Sequence, residues 1–127
     1  MTLSITGRFT TDRPARYLKQ LCSHLSQKIE ATHDEGSGTV VFQSATSTLT
    51  VLPGSLEVAI TGAADEDVYR SMGIVGGHLE KFAAKEGLAM TWDDAAIAAA
   101  FEAKREEIAA ARRAEVAEER AATAHAS

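Results

Sequence analysis

Cysteine, proline and tryptophan are scarce in this chain: one Cys, two Pro and one Trp in 127 residues. A single cysteine excludes an internal disulfide and fits a reducing compartment, so the cytoplasm is the expected location. Long hydrophobic runs are missing, and nothing approaches the roughly 20 apolar residues that span a bilayer. The opening MTLSITGRFTT has neither the basic start nor the apolar core of a secretory signal, so no membrane partner is expected. Positive charge is in the minority, with 13 Lys and Arg against 18 Asp and Glu and a formal net charge of -5. That balance argues against general binding of nucleic acid. The motifs of common chemistry are absent as well: a Gly-rich phosphate loop with its lysine, a paired CxxC, HExxH and GxSxG. The segment GIVGGH has no strand before it, which a dinucleotide fingerprint requires.

Hydrophobic residues make up 45% of the chain, enough for one packed core. Leu3, Ile5 and Phe9 alternate with Ser4, Thr6 and Arg8, the period of a half-buried strand. TTDRP then starts a helix, with Asp12 or Thr11 as its cap and Pro14 in its first turn. Leu18, Leu21, Cys22, Leu25 and Ile29 give it an apolar stripe. Turn signals at HDEGSG and LPGS separate four further strands. Their inward residues are Val40, Phe42, Leu49, Val51, Leu56, Val58 and Ile60, and the opposite face is rich in threonine. GAADED opens a second helix with the stripe Val68, Met72, Val75, Leu79 and Phe82, interrupted by Gly73, Gly76 and Gly77 and stopped near Gly87. Close packing or a kink would account for the three glycines. Asp93 and Asp94 read as caps of a last helix, and Trp92 as the residue that packs it. That helix is alanine-rich, with a thin stripe of Ile97, Phe101, Ile108 and Val116.

The expected fold is α+β: a β-α-β4-α antiparallel sheet over residues 1–92 with two helices on one face, and a helical extension over 93–127. It resembles the arrangement of one repeat of the TATA-binding-protein-like folds. That likeness is architectural and carries no implication of DNA binding.

Chemistry-bearing residues gather on the flanks of the two helices. At 100° per residue, His24 lies off the core stripe of the first helix, with Tyr17 and Lys28. His78 lies off the stripe of the second, near Ser71, Lys81 and Lys85. If the helices are neighbours, these flanks face each other across a groove. The candidate ligand-binding residues are Arg16, Tyr17, His24, Lys28, His78, Lys81 and Lys85, with His24 and His78 as candidate metal ligands. Imidazoles bind transition metals, and the cations suit a carboxylate or phosphate. Cys22 and His24 point about 200° apart on a helix, so one helix cannot offer both to one ion. Cys22 reads as core. His33, in a turn, and His125, in the tail, read as exposed. No catalytic residue is assigned, because no nucleophile, oxyanion site or carboxylate partner is placed with either flank histidine.

RYLKQLCSHLSQK (residues 16–28) and HLEKFAAKEGLAMTW (residues 78–92) resemble the paired signatures of a bacterial family, domain of unknown function 2218, over about residues 3 to 92. The family pattern has Cys-x-His on the first helix, matched by Cys22 and His24. Its second signature is matched by His78, Leu79, Glu80, Lys81 and Phe82. The alanine-rich extension departs from it. The family has no established activity, so the resemblance implies no reaction. Related domains are joined in some proteins to flavin-dependent siderophore-interacting reductases, which implies an accessory role in iron handling beside such a reductase. The expectation is a module that binds an anionic small molecule or metal chelate. The alternative is an interaction or structural domain, a homodimer for instance, that uses the threonine-rich face or the last helix.

Overall fold

A computed structural model describes residues 2–126, with side chains through residue 121. The chain divides into two units, Met1–Ala95 and Ala96–Ser127. The first runs β1 (Leu3–Thr10), α1 (Pro14–Leu25), β2 (Glu30–His33), β3 (Ser37–Phe42), β4 (Ala45–Leu52), β5 (Ser55–Gly62), α2 (Asp65–Phe82) and β6 (Met90–Trp92). α3 (Ala95–Ala126) makes up the second. The strands form one six-stranded antiparallel sheet in the order β2-β3-β4-β5-β1-β6. No helix among the described residues is long and apolar enough to cross a membrane.

Period-two alternation divides the sheet into two faces. Ile5, Phe9, Val40, Leu49, Leu56, Val58 and Ile60 are buried on the face that carries α1 and α2. Leu18, Leu21 and Leu25 meet them from α1, and Val68, Met72, Val75 and Leu79 from α2. Each such side chain contributes roughly 1.5–3 kcal/mol by leaving water. On the other face, Thr32, Thr39, Thr48, Ala59 and Thr6 fall in one row across five strands. Ser4 and Thr61 share a hydrogen bond of 3.0 Å there, and Arg8 lies 3.6 Å from Glu57.

Several glycines are explained by what lies above them. A Cβ on Gly38 would meet Leu18 at 2.8 Å and Cys22 at 3.0 Å, so α1 sits directly on β3. On Gly62 it would meet Val68 at 2.9 Å. Trp92 lies across Gly7 of β1 and reaches Gly76 of α2, where a Cβ would be 3.1 Å from its ring. Close packing therefore accounts for Gly76 but not for Gly77, whose missing Cβ faces open space. These contacts of Trp92 lie inside the first unit. LPGS makes the expected tight turn, with Gly54 at φ 78°. Gln43 takes φ 53° in the β3–β4 turn without being glycine.

The local expectations need correction at four places. Asp12 does not cap α1. The N-cap is Arg13, with no side-chain cap, and Thr11 Oγ1 instead accepts from the Arg13 N–H at 3.1 Å. α1 stops at Leu25, so half-buried Ile29 belongs to the turn that follows. Residues 90–92 form a strand that was not expected, held by pairing with β1. Asp93 gives its carboxylate to the Thr6 N–H at 3.0 Å, which closes that pairing. Elsewhere Asp67 in the first turn of α2 accepts from the Ser44 hydroxyl at 2.6 Å and from its N–H at 3.1 Å. These two bonds hold the Asp67 carboxyl below its usual range, the hydroxyl contributing more.

α3 is a continuous helix of 32 residues. Arg113 pairs with Glu106 at 3.0 Å, and the Arg105 guanidinium lies 5.8 Å from the Phe101 ring centre. Ile108 and Val116 are 52% and 41% exposed. His125 lies outside the described side chains.

Candidate functional site

α1 and α2 lie side by side and antiparallel on the sheet, and their polar flanks face each other. Helical spacing puts Arg16, Tyr17, Gln20 and His24 on one side of α1. Across from them stand His78 and Phe82 of α2, then Lys85 and Glu86 in the turns beyond its end. Tyr17 anchors one end. Its ring is buried edge-on to Phe9, with centroids 5.2 Å apart, and its hydroxyl donates to Glu86 Oε2 at 3.1 Å. Burial pushes the phenol pKa above its ordinary value, and the Glu86 contact adds to this. The cavity here measures about 320 Å³, lined by Arg13, Arg16, Gln20 and Lys85 as well as Tyr17, Phe82 and Glu86.

The other end carries the histidines. The ring centroids of His24 and His78 are 5.0 Å apart. Phe82 meets the His24 ring edge-on at 5.7 Å and the His78 ring at 6.0 Å, so it joins the imidazole pair to the cavity it also lines. His78 Nδ1 lies 2.6 Å from the Ile74 carbonyl. A carbonyl can only accept, so Nδ1 carries the proton, and the Nε2 of the neutral ring keeps its lone pair. His24 is exposed and His78 half-buried. From Tyr17 to His24 the helix advances about 10 Å.

Of the residues singled out from sequence, Arg16, Tyr17 and Lys85 line the cavity, and His24 and His78 meet through Phe82. Lys28 and Lys81 are outside that lining. α1 ends before Lys28, which sits in an exposed turn. Lys81 is exposed and falls on the other side of His78 from Phe82 by helical repeat. Ser71, expected beside His78, is buried. Arg13, Gln20, Phe82 and Glu86 were missed. Gln20 and Phe82 stand four residues from His24 and His78, a spacing that could have found them. Cys22 is 1% exposed, and burial raises its thiol pKa, so it does not reach the groove. Among the described residues no cluster of three or more His, Cys, Asp or Glu could hold a metal ion.

A family model described as "Uncharacterized protein conserved in bacteria (DUF2218)" matches residues 6–93. Among solved structures, the NMR structure of PA4090 from Pseudomonas aeruginosa is similar, with a TM-score of 0.62 and 24% identity, over 72% of this chain and 96% of that one. At that identity the likeness shows a shared fold. No curated protein matches.

Proposed function

The chain belongs to this family of uncharacterised bacterial proteins, and we propose that it is a non-catalytic binding module for a small anionic ligand in the groove between α1 and α2. One observation carries the reading: Arg13, Arg16 and Lys85 share the lining of one cavity with a single carboxylate, Glu86, which already holds the Tyr17 hydroxyl. Three cations about one small space favour a carboxylate or phosphate, and arginine offers a planar fork to either. Phe82 gives an apolar wall, and Gln20 a neutral donor and acceptor. Among the described residues the lining supplies no serine, threonine or cysteine nucleophile. The setting we propose is cytoplasmic, accessory to a flavin-dependent siderophore reductase, with an anionic metal chelate as one member of the ligand class.

Calorimetric titration with citrate, phosphate and a ferric catecholate tests this, alongside the variants Arg16→Glu and Lys85→Glu. Saturable binding of at least one anion, weakened at least tenfold by either charge reversal, is expected. Binding that neither reversal changes, or none to any of the three, refutes it. A second reading is favoured by the exposed Ile108 and Val116 on α3: an interaction domain that associates through this helix. A concentration-dependent mass in light scattering, lost in Ile108→Glu, would support it.

A further inference from the structure

The imidazole pair has a feature that anion binding alone does not use. We propose that His24 and His78 hold one borderline transition-metal cation, such as Zn²⁺ or Ni²⁺, whose remaining coordination positions open onto the groove and take the anionic ligand. This rests on the groove reading above and names how the ligand is gripped.

Three observations carry it. The first is distance. With a metal–nitrogen bond of about 2.1 Å and roughly 1.1 Å from nitrogen to ring centre, two imidazoles on one ion have centroids about 4.5–5.2 Å apart, for angles from 90° to tetrahedral. The observed separation is 5.0 Å, already in that range. The second is the tautomer. The 2.6 Å bond from His78 Nδ1 to the Ile74 carbonyl puts a proton on Nδ1, which in the neutral ring leaves the lone pair on Nε2. A second-shell bond of this kind orients histidines that bind metals and raises their basicity. The third is what is missing. No third His, Cys, Asp or Glu joins the pair among the described residues. Two protein ligands leave about half of a four-coordinate sphere open, where a structural site would close it.

The neighbours fit a ligand that bridges. Phe82 packs both rings and walls the cavity where Arg13, Arg16 and Lys85 stand. An anion with two donor groups would place one on the metal and the other near the arginines. Phosphate is compact, whereas citrate carries three carboxylates on one chain and can present them to two partners, so citrate is the better probe. Cys22 takes no part, since it lies in the core.

The test is a zinc titration of the full chain, first alone and then with citrate, followed by calorimetry and by the Nε2 resonances of both rings. One zinc per chain is expected, with both Nε2 signals shifting together. His24→Ala and His78→Ala should each weaken zinc binding at least tenfold, while His33→Ala leaves it unchanged. Citrate affinity should rise at least tenfold once zinc is bound. Absence of zinc binding, or binding that both alanine variants retain, overturns the proposal. If chelator-treated protein then still binds citrate through Arg16, the groove reading survives; if it binds no anion, both fall. Zinc held by the pair with no change in citrate affinity also overturns it, because the open positions would then not serve the ligand.

Discussion

Alanine at Gly7 would put a methyl group where β1 has no room. Its Cβ would lie 2.5 Å from Trp92 Cε3, 2.7 Å from Cζ3 and 2.8 Å from Met90 Cε. The methionine methyl can swing aside at little cost. The indole cannot, because its far edge already rests at Gly76, where a Cβ would be 3.1 Å from Cζ2. Two effects oppose each other. Alanine gains about 0.5–1 kcal/mol over glycine inside a strand, mostly by restricting the unfolded chain. Overpacking a site that cannot relax costs about 1–3 kcal/mol. The overlap is deep, so the upper half of that range applies, and the net expectation is a loss of about 1–2 kcal/mol. Urea unfolding would show this as a lower midpoint at an unchanged slope. The cause is tested by a double-mutant cycle. Trp92→Leu removes the ring atoms, and in that background Gly7→Ala should be neutral or mildly stabilising, with a coupling of about 1–3 kcal/mol. A Gly7→Ala protein as stable as the parent would refute the reasoning. So would a loss that persists unchanged without the indole.

Gly77 makes the opposite case in the same packed region. Its Cβ position is open, so Gly77→Ala should stabilise the domain by about 0.5–1 kcal/mol through helix propensity, read as a higher urea midpoint. Ser47 is buried on β4, and its hydroxyl has no hydrogen-bond partner among the described residues. Ser47→Ala should therefore be neutral or stabilising by up to about 1 kcal/mol in the same assay, and a clear loss would show that the hydroxyl is bonded after all. The Asp67 pKa is lowered by the Ser44 hydroxyl and then by its N–H, so its contribution is present above the ordinary carboxylate value near 3.9 and fades as pH falls below it. Asp67→Asn should lower the melting temperature at pH 7, and the gap to the parent should narrow as pH falls below the ordinary carboxylate value; a gap that stays constant would contradict that sign.

The fold was legible where a pattern repeats. Alternation marked β1 and β5, and the stripes of α1 and α2 matched the residues now buried except at their last members, Ile29 and Phe82, which are half-buried. Punctuation was legible at Pro53 and Gly54, because a type II turn needs a residue free to adopt positive φ at its third position. What stayed hidden depends on partners distant in sequence. Met90–Trp92 is too short to show a period and is a strand only because β1 offers it an edge. Gln43 adopts φ 53° although nothing in its side chain favours it, since the two-residue β3–β4 connection sets the backbone. Asp12 has the right chemistry for a cap, but Thr11 takes the Arg13 N–H instead.

The groove was partly legible for the same physical reason. A helical wheel gives angles within a helix, so it put His24 and His78 on flanks. It gives no rotation of one helix against the other, so their meeting rested on a condition. That condition is set by the glycines. Gly38 lets Leu18 and Cys22 down onto β3, and Gly76 lets α2 close on Trp92. Each contact seats its helix against the sheet, and on helices seated this way the two imidazoles lie 5.0 Å apart. Packing on the far side of both helices therefore bears on the geometry of the pair. A methyl group added at Gly38 or Gly76 would disturb the His24–His78 distance before it touched any residue of the groove.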